Sequence, residues 1–203
     1  KQLSSMGDYG ARWLLGLMHF YGFGTPGNVN KAVEHWKISA KDGSTLAKRY
    51  LCAHFVYAAE QTLETSFETY RLQTFSNDTV NWCRKAILDQ QWPSAILLAR
   101  HFTNLGDHYK AEIVLENYLP KIADSYFKRE WLKFGLDHLA TIYSETNRTL
   151  EARDIRQLIV NIDKDSMEDD PYEYALSLVN LSIDQSIGGD PLGAEESLLR
   201  ALP

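Results

Sequence analysis

The chain has 203 residues, of which 44% are hydrophobic and 24% charged, enough to bury a continuous core and too apolar for a disordered tail. No run approaches the roughly 20 apolar residues of a membrane-spanning helix, and two cysteines are too few for a disulfide framework. The net charge of -6 is unevenly spread: residues 1–100 hold 11 basic and 8 acidic side chains, the rest 10 and 19. The basic residues are dispersed, which disfavours a phosphate-neutralising stripe and hence a general nucleic-acid binder.

In chain order, Ala11, Leu14, Leu15 and Met18 recur at helical spacing within 8–22, and the segment Tyr21-Gly22-Phe23-Gly24-Thr25-Pro26-Gly27 breaks that helix. A second helix is expected from Asn30 to Ala40, presenting Ala32, Val33, Trp36 and Ala40 and closed by Lys41-Asp42-Gly43. The cadence then returns after 36 residues: Gly7, Ala11, Leu15 and Tyr21 are echoed by Gly43, Ala47, Leu51 and Tyr57. Such a period marks stacked helical hairpins, because each hairpin hides its apolar face only against a neighbour.

The next stretch departs from the pattern. Between Tyr57 and Trp82 lies a polar segment that reads as an insertion near 58–79, either a binding element or a packing embellishment. Phe67, Tyr70, Leu72 and Phe75 suit an extra short helix, and Ser76-Asn77-Asp78 suit a cap for a helix carrying Val80, Trp82, Ala86 and Ile87. From Ala95 the theme is Leu98, Ala99 and Phe102, a turn at Gly106-Asp107, then Tyr109, Ala111, Leu115 and Tyr118. It recurs around Asn147-Arg148 and around Gly188-Gly189-Asp190, with Ala111, Ala152 and Ala194 spaced by 41 and 42 residues. That spacing predicts long helices or interposed loops such as Pro120–Lys133 and Asp163–Pro171, the second being the expected hinge.

Ala11, Leu15, Gly16, Tyr21, Gly22, Gly24, Lys31, Ala32, Trp36, Ala40, Gly43 and Ala47 follow in order the pattern of the Sel-one-like repeats, which this stretch resembles. Beyond residue 94 the chain resembles the related tetratricopeptide repeats. The resemblance implies an all-α fold, a right-handed superhelical solenoid of about five helix-turn-helix repeats in a single domain spanning 1–203, with Sel-one-like repeats over 7–94 and tetratricopeptide-like repeats over 95–203. It further implies that the first helix of each hairpin lines a concave face that holds peptides or partner helices. With Leu15 and Gly16 as register, the inward positions are Trp13, Leu17 and Phe20, then Arg49, Ala53 and Val56, then Ile96, Arg100 and Asn104. Asp137, Thr141 and Glu145 follow, and then Asn180 and Asp184. Trp13, Leu17, Phe20, Arg49, Val56, Arg100 and Asn104 form the expected partner site, with Arg49 and Arg100 holding carboxylates. The alternative for Trp13, Leu17 and Phe20 is packing against a preceding repeat.

Chemistry is sparse. The acidic run Asp163, Asp165, Glu168, Asp169, Asp170 has Glu168 and Tyr174 where a calcium loop needs glycine and glutamate, and the six histidines form no zinc-ligand pair. The glycines of 22–27 lack the strand and the Lys-Ser or Lys-Thr of a phosphate loop, and no nucleophile motif is present. No metal, cofactor, small-molecule substrate or enzyme activity is therefore expected. Cys52 and Cys83 are expected as buried free thiols, with a bridge between paired helices as the alternative. Sequons occur at Asn77, Asn147 and Asn180.

The expected function is a protein-binding scaffold or adaptor, such as an assembly factor or subunit of an organellar complex, reaching a membrane only through a partner. The alternative is an organellar RNA-associated helical-repeat factor, although no base-reading code is found. The expected location is the mitochondrial matrix or cytosol, with the endoplasmic-reticulum lumen as the alternative.

Overall fold

The computed structural model describes residues 8–64, 69–125, 128–165 and 170–202, without the side chains of 62–64, 69–75 and 128. All regular structure among them is helical: α1 (Tyr9–Tyr21), α2 (Val29–Lys41), α3 (Thr45–Glu64), α4 (Thr69–Leu88), α5 (Pro93–Asn104), α6 (His108–Ala123), α7 (Lys128–Glu145), α8 (Thr149–Lys164), α9 (Pro171–Ile187) and α10 (Pro191–Ala201). None of the described helices is long and apolar enough to cross a membrane.

Several helix starts follow from local chemistry. Asp8, Asn28, Asp107, Asp170 and Asp190 each accept a hydrogen bond from a backbone N–H of the first turn they precede, filling a donor that the helix leaves unpaired. Pro171 and Pro191 open α9 and α10, where a missing N–H costs nothing. Gly106, in the turn before α6, and Asn147, in the turn before α8, have φ of 76° and 61°, a conformation that asparagine tolerates better than most side chains.

The helices form two compact units, Lys1–Leu105 with α1 to α5 and Gly106–Pro203 with α6 to α10. The hinge expected over Asp163–Pro171 falls in part on residues 166–169, which lie outside the described residues. Within each unit every helix packs on its sequence neighbour, and in the first unit α3 also packs on α5.

The apparent insertion near 58–79 is absorbed differently from expectation. Instead of an added short helix, α3 and α4 are each lengthened to 20 residues. Ser76, Asn77 and Asp78 lie inside α4 rather than capping it, and the Ser76 hydroxyl is 2.8 Å from Nε2 of buried His101. Phe67 lies outside the described residues, as do the side chains of Tyr70, Leu72 and Phe75. Likewise Pro120, read as opening a loop, sits inside α6, and α7 already begins at Lys128.

The packing of the first two helices explains the Leu-Gly and Trp spacing. Gly16 is buried on α1, and a Cβ placed there would fall 2.2 Å from Nε1 of Trp36 on α2. Trp36 is fully buried, its indole N–H donating to the Trp13 carbonyl at 3.3 Å. In the following repeat the Gly16 position is Cys52, and it is joined to Cys83 by a disulfide across α3 and α4. The two cysteines, expected as free thiols, are fully buried but bonded to each other. A covalent link replaces the glycine–tryptophan contact, and Trp82 beside it keeps the tryptophan of the pattern.

The second unit has its own core, in which Val160, Leu178 and Leu181 pack together under Tyr174 and Ala201.

Candidate functional site

In the first unit the expected partner residues fall into three environments. Trp13 is half-buried and packs edge-on against Tyr50 at 5.8 Å, while Leu17 is also half-buried. Phe20 is 39% exposed and lies 5.4 Å from the Trp36 ring. Val56 is fully buried and offers no surface to a partner. Arg49 is half-buried, and that burial pulls its pKa below the usual arginine value.

Arg100 and Asn104 are engaged within the chain. Arg100 Nε lies 2.6 Å from Glu60 Oε1 and its NH2 donates to Oε2 at 3.0 Å, while Asn104 Nδ2 donates to Oε1 at 2.9 Å. The Arg100 guanidinium also sits 5.5 Å from the Tyr57 ring centre. Glu60 on α3 thus takes the bidentate place that a partner carboxylate would have occupied, and it fastens α3 to α5.

The second unit contains a built cavity of about 300 Å³, lined by α7, α8 and α9. Its apolar wall is Phe134, Ile159 and Leu176. Lys133 Nζ lies 2.6 Å from Oδ1 of buried Asp163 and 3.0 Å from Glu173 Oε2. Burial opposes the lysine charge, but the hydrogen bonds that Lys133 donates to Asp163 and Glu173 outweigh it and raise the Lys133 pKa. At the other end, Arg156 from α8 reaches between α7 and α9. It bonds Asp137, and its Nε donates to Oδ2 of buried Asp184 at 3.1 Å. Arg156 NH2 lies 3.4 Å from Thr141 Oγ1, and Ser144 Oγ donates to Asp184 Oδ1 at 2.7 Å.

Asp137 and Asn180, both placed inward by the repeat register, line this cavity, while Thr141 and Asp184 are gathered behind it by Arg156. Lys133 and Leu176 were missed although each stands one helical turn before an inward position, four residues ahead of Asp137 and Asn180. Extending the register by a turn finds them. Arg156 lies on a second helix, and nothing in the repeat pattern marks it.

Of the three sequons, Asn77 and Asn147 are exposed, whereas Asn180 is half-buried at the cavity wall. Among the described residues no group of three or more histidine, cysteine, aspartate or glutamate side chains is placed to hold a metal ion. Comparison of the chain with protein-family models finds no match, and comparison with curated proteins finds none either.

Proposed function

We propose that the chain is a non-enzymatic scaffold that binds a peptide or helix of a partner protein. The in-order packing of helices within each unit is read as that of helical repeats related to the Sel-one-like and tetratricopeptide repeats. The observation that carries this reading is the cavity between α7 and α9. Two helices that the repeat register treats as first helices stand side by side and leave a half-apolar, charged recess, with inward positions Asp137 and Asn180 in its wall. Recesses that combine apolar wall with a few fixed polar groups are where partners dock. The alternative role in RNA binding draws no support from a unit with 19 acidic and 10 basic residues.

The site of action moves with the cysteines. A buried Cys52–Cys83 bond supports an oxidising compartment such as the endoplasmic-reticulum lumen over the matrix or cytosol. Alkylation and mass spectrometry of the unreduced protein from its native cells should find both cysteines blocked as one bridged peptide pair.

The scaffold reading is tested by affinity purification of the full chain beside Phe134→Ser/Leu176→Ser. Both side chains are exposed, at 45% and 40%, so folding should survive, as circular dichroism will report. The wild-type chain should retain a reproducible set of proteins that the variant loses; identical recoveries from both would refute the site.

A further inference from the structure

We infer that the α7–α9 cavity receives the side chain of a lysine or arginine carried by a partner segment, an inference that rests on the scaffold reading and specifies its ligand. The charges around the recess do not balance. Glu130, Asp137, Asp163, Glu173 and Asp184 face Arg129, Lys133 and Arg156, which leaves two negative charges in excess. The two lining cations are also already engaged: Lys133 bridges Asp163 and Glu173, and Arg156 bridges Asp137 and Asp184. An incoming carboxylate or phosphate would therefore find neither donor available without breaking a built pair.

An incoming cation finds the opposite. Glu130 lines the cavity and is exposed, with no ion-pair partner among the described residues, and Glu173 is 45% exposed and uses one oxygen on Lys133. Phe134, Ile159 and Leu176 supply a wall for the aliphatic stem of a lysine or arginine, whose charged end stays at the acidic, wetter edge. Phe134, 45% exposed, further offers aromatic surface to a guanidinium or ammonium. At about 300 Å³ the recess is at the small end of ligand cavities and suits one or two side chains.

The test is selection of a phage-displayed random peptide library on the full chain, followed by affinity measurement on the enriched peptides. Lysine or arginine next to an apolar residue should be enriched. Replacing that residue by norleucine, or introducing Glu130→Lys in the protein, should weaken binding roughly fivefold to tenfold, and added salt should weaken it further. Glu130→Lys/Leu176→Lys should abolish measurable binding while the melting temperature holds. Enrichment of acidic or purely apolar peptides, indifference to both variants, or a library yielding no binder overturns the cationic occupant. So does spermidine alone displacing the peptides tightly, since the ligand would then be a small polycation. The purification with Phe134→Ser/Leu176→Ser judges the scaffold reading separately from all of these.

Discussion

At the scale of single residues, Gly16 shows how one missing side chain sets a helix crossing. Because a Cβ there would meet Trp36 Nε1 at 2.2 Å and Cδ1 at 2.4 Å, and the indole is buried and hydrogen-bonded to the Trp13 carbonyl, the ring has little room to move aside. Gly16→Ala should therefore cost about 1–3 kcal/mol through overpacking, despite alanine's better helix propensity. Gly10→Ala is the control. It lies on the same helix, and its new Cβ would meet only the Asp8 carboxylate, at 3.2 Å, so its effect should be small or stabilising. Urea unfolding of the two variants separates packing from propensity; equal shifts would mean that Trp36 is not seated on Gly16. The glycine and tryptophan were legible in the sequence because small and large residues at fixed offsets are what close helix pairs need. The fate of Arg100 was not, because its partner Glu60 lies 40 residues away and no local pattern connects them.

At the scale of elements, the α3–α4 pair is held by a bond that the repeat pattern does not contain. Joining residues 31 apart restricts the unfolded chain by an amount that corresponds to about 3–4 kcal/mol in the loop-entropy account. Reduction, or Cys52→Ala/Cys83→Ala, should lower the stability of the first unit by that order while leaving the second unit's unfolding unchanged. Denaturation with and without reductant, followed by hydrogen exchange, reads both. The helical pattern of this pair was legible, but the residues of 58–79 were polar enough to look like a loop; solvated turns of a long helix and a true insertion have the same composition. In α7 to α9 the joint is ionic. Arg156 is only 12% exposed and Asp184 only 6%, so Arg156→Met would leave a buried carboxylate without its cation and should cost about 3–5 kcal/mol. Asp184→Asn combined with Arg156→Met should recover much of that loss, because removing both charges removes the desolvation penalty. A double variant as unstable as Arg156→Met alone would mean that the packing of the arginine stem, and not the charge, holds these helices.

At the scale of the whole molecule, charge and titration divide along the two units. The +3 and -9 read from the halves of the sequence apply unchanged to the units, since residues 101–105 carry no formal charge. The histidines whose pKa is lowered, His35, His54 and His101, all belong to the first unit. In each the largest cause is burial, which opposes the charged ring; at His35 the neighbouring His19 and Arg12 add to it, and at His54 Lys37 does. A histidine whose folded pKa lies below its unfolded value of about 6.5 binds its proton more readily when the chain is unfolded. Its contribution is complete above that pH and is lost progressively as the pH falls towards the folded value. In the second unit the shift at Lys133 is upward, so the stability it adds is complete below the unfolded lysine value and fades only in strong alkali. Between pH 7.5 and 5, acidification should therefore loosen the first unit selectively. Hydrogen exchange at these two values should show protection falling in peptides from α1 to α5 and holding in those from α6 to α10. In His101→Gln, which keeps a hydrogen-bonding group near Ser76 but cannot titrate, the fall should be smaller. Loss of protection spread evenly over both units would mean that the buried rings are not what senses the acid.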